Sequence, residues 1–259
     1  MSTHVEISTP TEEQYNLEIE DTPYVPYRPL WKDITLEFFG TFLFVYISLA
    51  GVNQVGLSGS TDQVQVAICF TLGLTAGILV AGKSGGHLNP AVTTTIYATS
   101  SDFGTSRFIG YIIAQLCGGF AAGLLVLAVY WSWINNSPES EALIGSFGTL
   151  KNPGNSLGAA ILDQFIGSAL LMLGIVATPD SWSKPLTIGV VLGGLGLFQG
   201  SNSFAFNLAR DFGPRVASAI VFGSDVFTAQ DYWFWVPIVI PFFGVFCGLM
   251  LGNTWKLSQ

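Results

Sequence analysis

From about residue 34 the chain alternates long apolar runs with short polar breaks. Six of the runs, at about 34–52, 64–82, 106–130, 157–178, 185–201 and 232–252, approach the roughly 20 residues an α-helix needs to cross a bilayer. Two further apolar pieces are too short to cross. One follows Asn89 and runs through Pro90-Ala91-Val92 to Ile96-Tyr97-Ala98; the other follows Asn207 through Leu208-Ala209. Asn is a good helix N-cap, and a proline in the first helical turn has no use for the N–H it lacks. Each piece therefore predicts a short helix whose positive N-terminal end points at something. In a soluble protein a lone Asn-Pro pair is an ordinary cap, but here two such pieces sit between membrane-length segments. Non-helical backbone at membrane depth is tolerated only where protein buries it or water reaches it, so two re-entrant half-helices imply an aqueous lumen.

The pattern also repeats. Glu37-Phe38-Phe39-Gly40-Thr41 on the first run reads against Gln164-Phe165-Ile166-Gly167-Ser168 on the fourth. Each opens a half of three spans, with an Asn-x-Ala piece after the second. An odd number of spans per half forces the halves into opposite orientations, an inverted repeat with its site near the membrane midplane. The predicted fold is an all-α membrane protein of six transmembrane helices plus two re-entrant half-helices. The half-repeats run over about 33–131 and 157–254 of a single channel domain (31–256) that follows a tail (1–30). The two short helices enter from opposite faces and meet at their N-termini, bringing Asn89 and Asn207 together.

Composition agrees with a membrane location. Charged residues are 10% and hydrophobic residues 50% of the 259, against about 25% charged in soluble domains, and mean hydropathy is +0.53. The net charge of -8 is not spread over the chain: of 17 acids, Glu6, Glu12, Glu13, Glu18, Glu20, Asp21 and Asp33 precede residue 34. That predicts a solvated, disordered acidic tail, which Pro23, Pro26 and Pro29 turn into an extended approach to the membrane. No basic cluster points to nucleic acid. No charged-then-apolar opening predicts a cleaved signal peptide. Arg28, Lys32, Lys83, Arg107, Lys184 and Lys256 fall on the side of the N-terminus, opposite Lys151, Arg210 and Arg215, so both termini are expected in the cytoplasm. Asn135-Asn136-Ser137, in the longest outer loop at about 131–156, is a glycosylation sequon weakened by Pro138. Cys69, Cys117 and Cys247 lie in apolar runs without metal-ligand or disulfide spacing, which predicts buried free thiols. With two histidines, one of them in the tail, no Ser/His/Asp or metal set can be assembled. No enzyme, cofactor or metal is expected.

Four stretches carry a family resemblance: Glu37-x-x-Gly40-Thr41, Ser84-Gly85-Gly86-His87-Leu88-Asn89-Pro90-Ala91-Val92-Thr93, Gln115 with Gly118-Gly119, and Asn207-Leu208-Ala209-Arg210. From about residue 33 to 254 the chain resembles the major intrinsic protein family, the aquaporins and aquaglyceroporins. Asp211, Arg215 and Pro237-Ile238 are similar to the aquaglyceroporin branch; water-selective relatives usually carry a small residue at the first of these positions and an aromatic on the last span. The resemblance implies a passive channel for glycerol, similar polyols and water that excludes ions and protons. It also implies a homotetramer in lipid, with the plasma membrane as its expected site. Asn89, Pro90, Ala91 and Asn207, Leu208, Ala209 form the paired pore motifs. Arg210 with Phe70, Gly196 and Phe204 occupies the family's filter positions. Cys69 competes with Phe70, because the latter assignment needs a one-residue deletion near Lys83, and Leu195 competes with Gly196.

The resemblance also assigns Glu37 and Gln164 to bracing the re-entrant loops. His87 is expected to pack beside Asn89, and Asp211 to hold Arg215 or the neighbouring loop. Carbonyls of Lys83–Leu88 and Gly200–Phe206 would form a polar stripe opposite an apolar wall, which is what a polyol needs when it sheds its water. Three residues depart from the family: Leu208 replaces a proline and adds an apolar group near the lumen, Gln164 replaces a glutamate, and Ser203 stands at a usual glycine. These departures leave two alternatives open, a water-selective channel and a poorly conducting structural or adhesion protein that retains the fold. Gating of the pore by the tail is a further open question.

Overall fold

A computed structural model of the chain describes residues 28–138, 141–199 and 204–257. The tail before Arg28, with its expected disorder, and Ser203 with residues 200–202 of the second re-entrant loop lie outside the described residues.

Chain order gives α1 (Leu30–Leu57), α2 (Gln63–Ala81), the half-helix α3 (Pro90–Thr99), α4 (Thr105–Val129), the short helices α5 (Trp131–Asn136) and α6 (Glu141–Gly145), α7 (Leu157–Ala177), α8 (Lys184–Gln199), the half-helix α9 (Leu208–Phe222), α10 (Asp225–Tyr232) and α11 (Trp235–Leu257). Among the described residues, five helices are long and apolar enough to cross a membrane. The remaining expected span, 185–201, is α8, with 16 described residues. Polar side chains start several helices. Asp62 accepts from the N–H groups of Val64 and Gln65 at α2, and Ser156 accepts from that of Ala159 at α7, using donors that a helix N-terminus leaves orphaned.

Two starting points differ from expectation. The loop at 131–156 contains α5 and α6, and the exposed Asn135 of the sequon sits on α5. The last span begins at Trp235 and not 232, because Gln230, Asp231 and Tyr232 take φ values of 51°, 55° and 64°, a left-handed region that no α-helix continues through.

In lipid there is little hydrophobic drive between helices, so close packing relies on small residues, and here the packing repeats between halves. A Cβ built on Gly118 of α4 would lie 2.5 Å from the Phe38 carbonyl of α1; one built on Gly244 of α11 would lie 2.4 Å from the Phe165 carbonyl of α7. The halves then interlock. Half-helix α9 of the second half packs on α4 of the first, where a Cβ at Gly119 would lie 2.1 Å from the Ala209 carbonyl. Half-helix α3 of the first half packs its Ala91 and Val92 with Met172, Val245 and Leu249 of the second. Gly118, Gly119, Gly123 and Gly193 are thus consumed inside the chain, whereas Gly194 faces open space. Leu72, Leu79, Ile113, Val190, Leu197 and Phe243 are exposed. A chain that turns this much apolar surface outward between apolar helices is an integral, multi-pass membrane protein.

Two expectations are corrected. Asp33 does not belong to a solvated tail: it is 3% exposed, sits in the first turn of α1, and pairs with Arg28 and Arg107. A carboxylate between two guanidiniums at a helix start is more favourable there than in bulk solvent. The cysteines are free but not buried: Cys117 is exposed, and Cys69 and Cys247 are intermediate. A thiol behaves as a small hydrophobe, so an outward position costs little where the surroundings are apolar.

Candidate functional site

The two half-helices meet end to end. Each cap asparagine takes an extended backbone and accepts from its own helix: Asn89 Oδ1 from Ala91 N at 2.9 Å, Asn207 Oδ1 from Ala209 N at 2.8 Å and Arg210 N at 3.3 Å. Each then donates across to the other half. Asn89 Nδ2 donates to the Phe206 carbonyl at 2.9 Å, and Asn207 Nδ2 to the Leu88 carbonyl at 2.7 Å. A side-chain amide carries two N–H groups, so the clasp uses one per asparagine and leaves the other for the lumen. The residues that supply the carbonyls, Leu88 and Phe206, have φ of 49° and 54°, an uncommon region for residues with a side chain. Both are 0% exposed and fill matching notches: a Cβ at Gly40 would lie 2.7 Å from Leu88 Cδ2, and one at Gly167 would lie 2.1 Å from Phe206 Cζ. The repeated glycine on α1 and α7 is the hole that each strained side chain enters.

Each loop has its own brace. Glu37, fully buried, accepts from Ser84 Oγ at 2.7 Å, His87 N at 3.0 Å, Leu88 N at 2.9 Å and Gln115 Nε2 at 2.8 Å. Gln164 offers Oε1 to Phe206 N at 3.3 Å, a longer bond from a neutral group. His87 lies beside the first motif, its Nδ1 3.2 Å from Thr93 Oγ1 and its ring between Phe103 and Tyr111.

Near α9 the remaining candidates cluster. The Phe70 and Phe204 rings are 4.6 Å apart, and the Arg210 guanidinium stands 5.0 Å from the centre of Phe70, within range of a cation–π attraction. A Cβ at Gly196 would lie 2.8 Å from Phe204 Cζ, so this glycine lies against the same ring. Cys69 turns instead onto Gly51 of α1, whose added Cβ would lie 2.5 Å from its Sγ. Phe70, not Cys69, therefore keeps company with Arg210, and Gly196 joins the group through the Phe204 ring.

Beneath this cluster lies a buried ion pair. Asp211 Oδ1 holds Arg215 Nε at 3.0 Å and Nη2 at 2.9 Å, and Asp211 Oδ2 accepts from Thr149 N at 2.7 Å and Thr149 Oγ1 at 2.6 Å. Arg215 also donates to the carbonyls of Thr149 and Val226, both at 2.7 Å. The pair ties the 146–150 loop to α9, and the same loop presents the Phe147 carbonyl 3.5 Å from Arg210 Nη1. Pro237 and Ile238 lie near the start of α11, outside this network. The sequence offered no sign of Thr149 or Phe147: they lie in an irregular loop whose partners are more than 60 residues away.

A cavity of about 580 Å³ lies against the first motif and the junction of the half-helices. It opens beside Asp180, Trp182 and Lys184, passes an apolar wall that includes Ile78, Val92, Leu171 and Ile188, and faces Gly85, Gly86 and His87 on another side. It ends at Asn89, Asn207 and Phe70. Leu208 opens α9 half-buried and does not line this cavity. Among the described residues no cluster could hold a metal ion. An amphipathic passage that reaches paired half-helix N-termini is the geometry of a channel.

The chain belongs to the major intrinsic protein family, whose pattern it matches over residues 26–251. It is 36% identical over 248 residues to Aquaglyceroporin-2 of Rhizophagus irregularis, covering 88% of this chain and 77% of that protein. It is 32% identical over 236 residues to Aquaglyceroporin-3 of Trypanosoma brucei brucei, covering 85% and 77%. The X-ray structure of the aquaglyceroporin from Plasmodium falciparum superposes with a TM-score of 0.82 at 29% identity, over 89% of this chain and 98% of that one.

Proposed function

We propose that the chain is a passive channel for small uncharged solutes, conducting glycerol and similar polyols together with water. The observation that carries this reading is the grouping of Phe70, Phe204, Gly196 and Arg210 next to the clasped asparagines. Two aromatic faces suit the carbon chain of a polyol. The guanidinium suits its hydroxyls, and the glycine lets the Phe204 ring lie back against α8, where a third side chain would push it forward. Further in, the spare N–H of Asn89 and of Asn207 offers donors at the centre. Two half-helix N-termini add positive potential there, which opposes cations and protons. The relatives named above are aquaglyceroporins, which supports the solute class. Transport of this kind is diffusion and needs no catalytic group.

Stopped-flow light scattering on proteoliposomes tests the reading. Glycerol and water are both expected to equilibrate faster than in empty vesicles. Water flux alone would move the chain to the water-selective class, and neither flux would leave a structural membrane protein. Gly196→Ala probes the constriction: its new Cβ meets the Phe204 ring at 2.8 Å. Glycerol flux should fall by about tenfold, on the scale of one methylene's discrimination in a fitted pocket, with a smaller loss for water.

The same reading includes a homotetramer with one pore per chain, residence in the plasma membrane, and both termini in the cytoplasm. The distribution of Lys and Arg supports the orientation. On that orientation the mouth beside Asp180 and Lys184 is the inner one.

A further inference from the structure

We infer that the N-terminal ends of α1 and α4 together form a binding site for the headgroup phosphate of an anionic phospholipid. The two ends are neighbours, since a Cβ at Gly110 of α4 would lie 2.5 Å from Ile34 Cδ1 of α1. Neither helix is capped by a side chain: Pro29 and Gly104 occupy the cap positions without a cap hydrogen bond. Orphaned N–H groups at a helix start attract anions and repel cations. Yet this is where the chain puts Arg28, Lys32 and Arg107, and α4 has no acid in its first turn. Asp33 balances part of that charge by pairing with Arg28 and with Arg107, the latter at 3.0 Å. Among the described residues, three cations against one carboxylate leave two net positive charges on top of two positive helix ends. Asp102, the acid nearest in sequence to α4, is exposed and bonds Ser101 at 3.3 Å.

The donors are also incompletely used. Arg28, its side chain 26% exposed, gives its Nε to Asp33, while its Nη2 atom is buried with no hydrogen-bond partner among the described residues. Arg107 engages Asp33 through Nη2, with its side chain 40% exposed. A guanidinium is a five-donor fork that fits phosphate oxygens two at a time, and a buried unpaired donor is unfavourable enough to favour a permanent acceptor. The surroundings fix the source of that phosphate. Trp31, 63% exposed and with Lys32 Nζ 5.6 Å from its ring centre, is the kind of residue that lies at headgroup level. A phosphodiester whose acyl chains continue down the apolar outer faces of α1 and α4, past Phe39 and Ile113, meets both requirements. A free phosphate ion meets only the first.

The full chain, reconstituted in nanodiscs of phosphatidylcholine with or without phosphatidylglycerol and then released for native mass spectrometry, tests the assignment. The expected result is selective retention of phosphatidylglycerol by about fivefold per arginine. That selectivity should be lost in Arg28→Gln/Arg107→Gln and reduced in Arg107→Lys, which keeps the charge but not the fork. Lys151→Gln, at the other end of the molecule, should retain it. Inorganic phosphate at millimolar concentration should not displace the lipid. Absence of lipid preference in the native chain overturns the site, as does equal preference in native and Arg107→Lys proteins. Displacement by inorganic phosphate overturns its assignment to lipid. The native-chain and Arg107→Lys arms remain decisive even where the double variant does not fold.

Discussion

Glu37→Ala is expected to abolish both fluxes and to destabilise the protein by about 2–6 kcal/mol. The carboxylate receives four donors at 3.0 Å or less. Ser84 Oγ and Gln115 Nε2 have second acceptors in the Ala81 carbonyl and Thr93 Oγ1, but the N–H groups of His87 and Leu88 are stranded, at about 1–3 kcal/mol each. The loss reaches the lumen through Leu88. Its φ of 49° is a strained geometry that persists only while its surroundings impose it, and the Leu88 N–H is one of the groups Glu37 holds. Once that bond is gone, the Leu88 carbonyl no longer has a fixed position for Asn207 to reach. Glu37→Gln should be milder than alanine but not neutral: an amide braces the other loop, where Gln164 accepts from Phe206 N at 3.3 Å, yet its Nε2 cannot accept from two of the four donors that Glu37 holds. Thermal unfolding in nanodiscs together with glycerol flux checks both variants. An alanine variant that still conducts at the native rate would show that Glu37 does not hold the loop.

The contrast between those two braces also shows what a sequence discloses. The apolar runs, the two asparagine pieces and the repeated Glu/Gln-x-x-Gly pattern are local or periodic, so they can be read along the chain, and the fold they specify is the one observed. Spacing alone could not decide between Cys69 and Phe70. Neighbouring residues on a helix point about 100° apart, and the choice depends on whether the register turns Cys69 onto Gly51 or into the cluster around Arg210. Asp33 looked like part of an acidic tail because its partner Arg107 is far away in sequence. The helices of the 131–156 loop are not legible for a related reason: Leu143, Ile144 and Phe147 are buried in the main core by tertiary contacts, not by a period of their own. Leu208 is legible as a departure from the family, yet its consequence depends on where its side chain goes, and that is away from the described cavity.

Arg215→Met should have the second large effect, a loss of about 3–5 kcal/mol. The pair is buried without exception, the two side chains being 1% and 0% exposed, so removing the cation strands a carboxylate in a medium that does not solvate it. Two further acceptors, the carbonyls of Thr149 and Val226, lose their donor in the same step. The midpoint of thermal unfolding should fall by on the order of 10 °C for a chain of this size. Flux should fall as well, because the 146–150 loop that Asp211 anchors also carries the Phe147 carbonyl facing Arg210. The informative comparison is the double variant Arg215→Met/Asp211→Leu. With both charges gone there is no stranded ion, and a pair replaced by apolar groups of similar volume is often close to neutral. The double variant should therefore be more stable than Arg215→Met alone, although Thr149 N and Oγ1 have then lost their acceptor and the Thr149 carbonyl its donor, so full recovery is not expected. Flux and stability then separate: stability returns in part, while the loop remains untied and glycerol conduction stays low. If the double variant is no more stable than the single one, the two residues do not act as a pair, and the loop owes its position to the apolar packing of Leu143, Ile144 and Phe147.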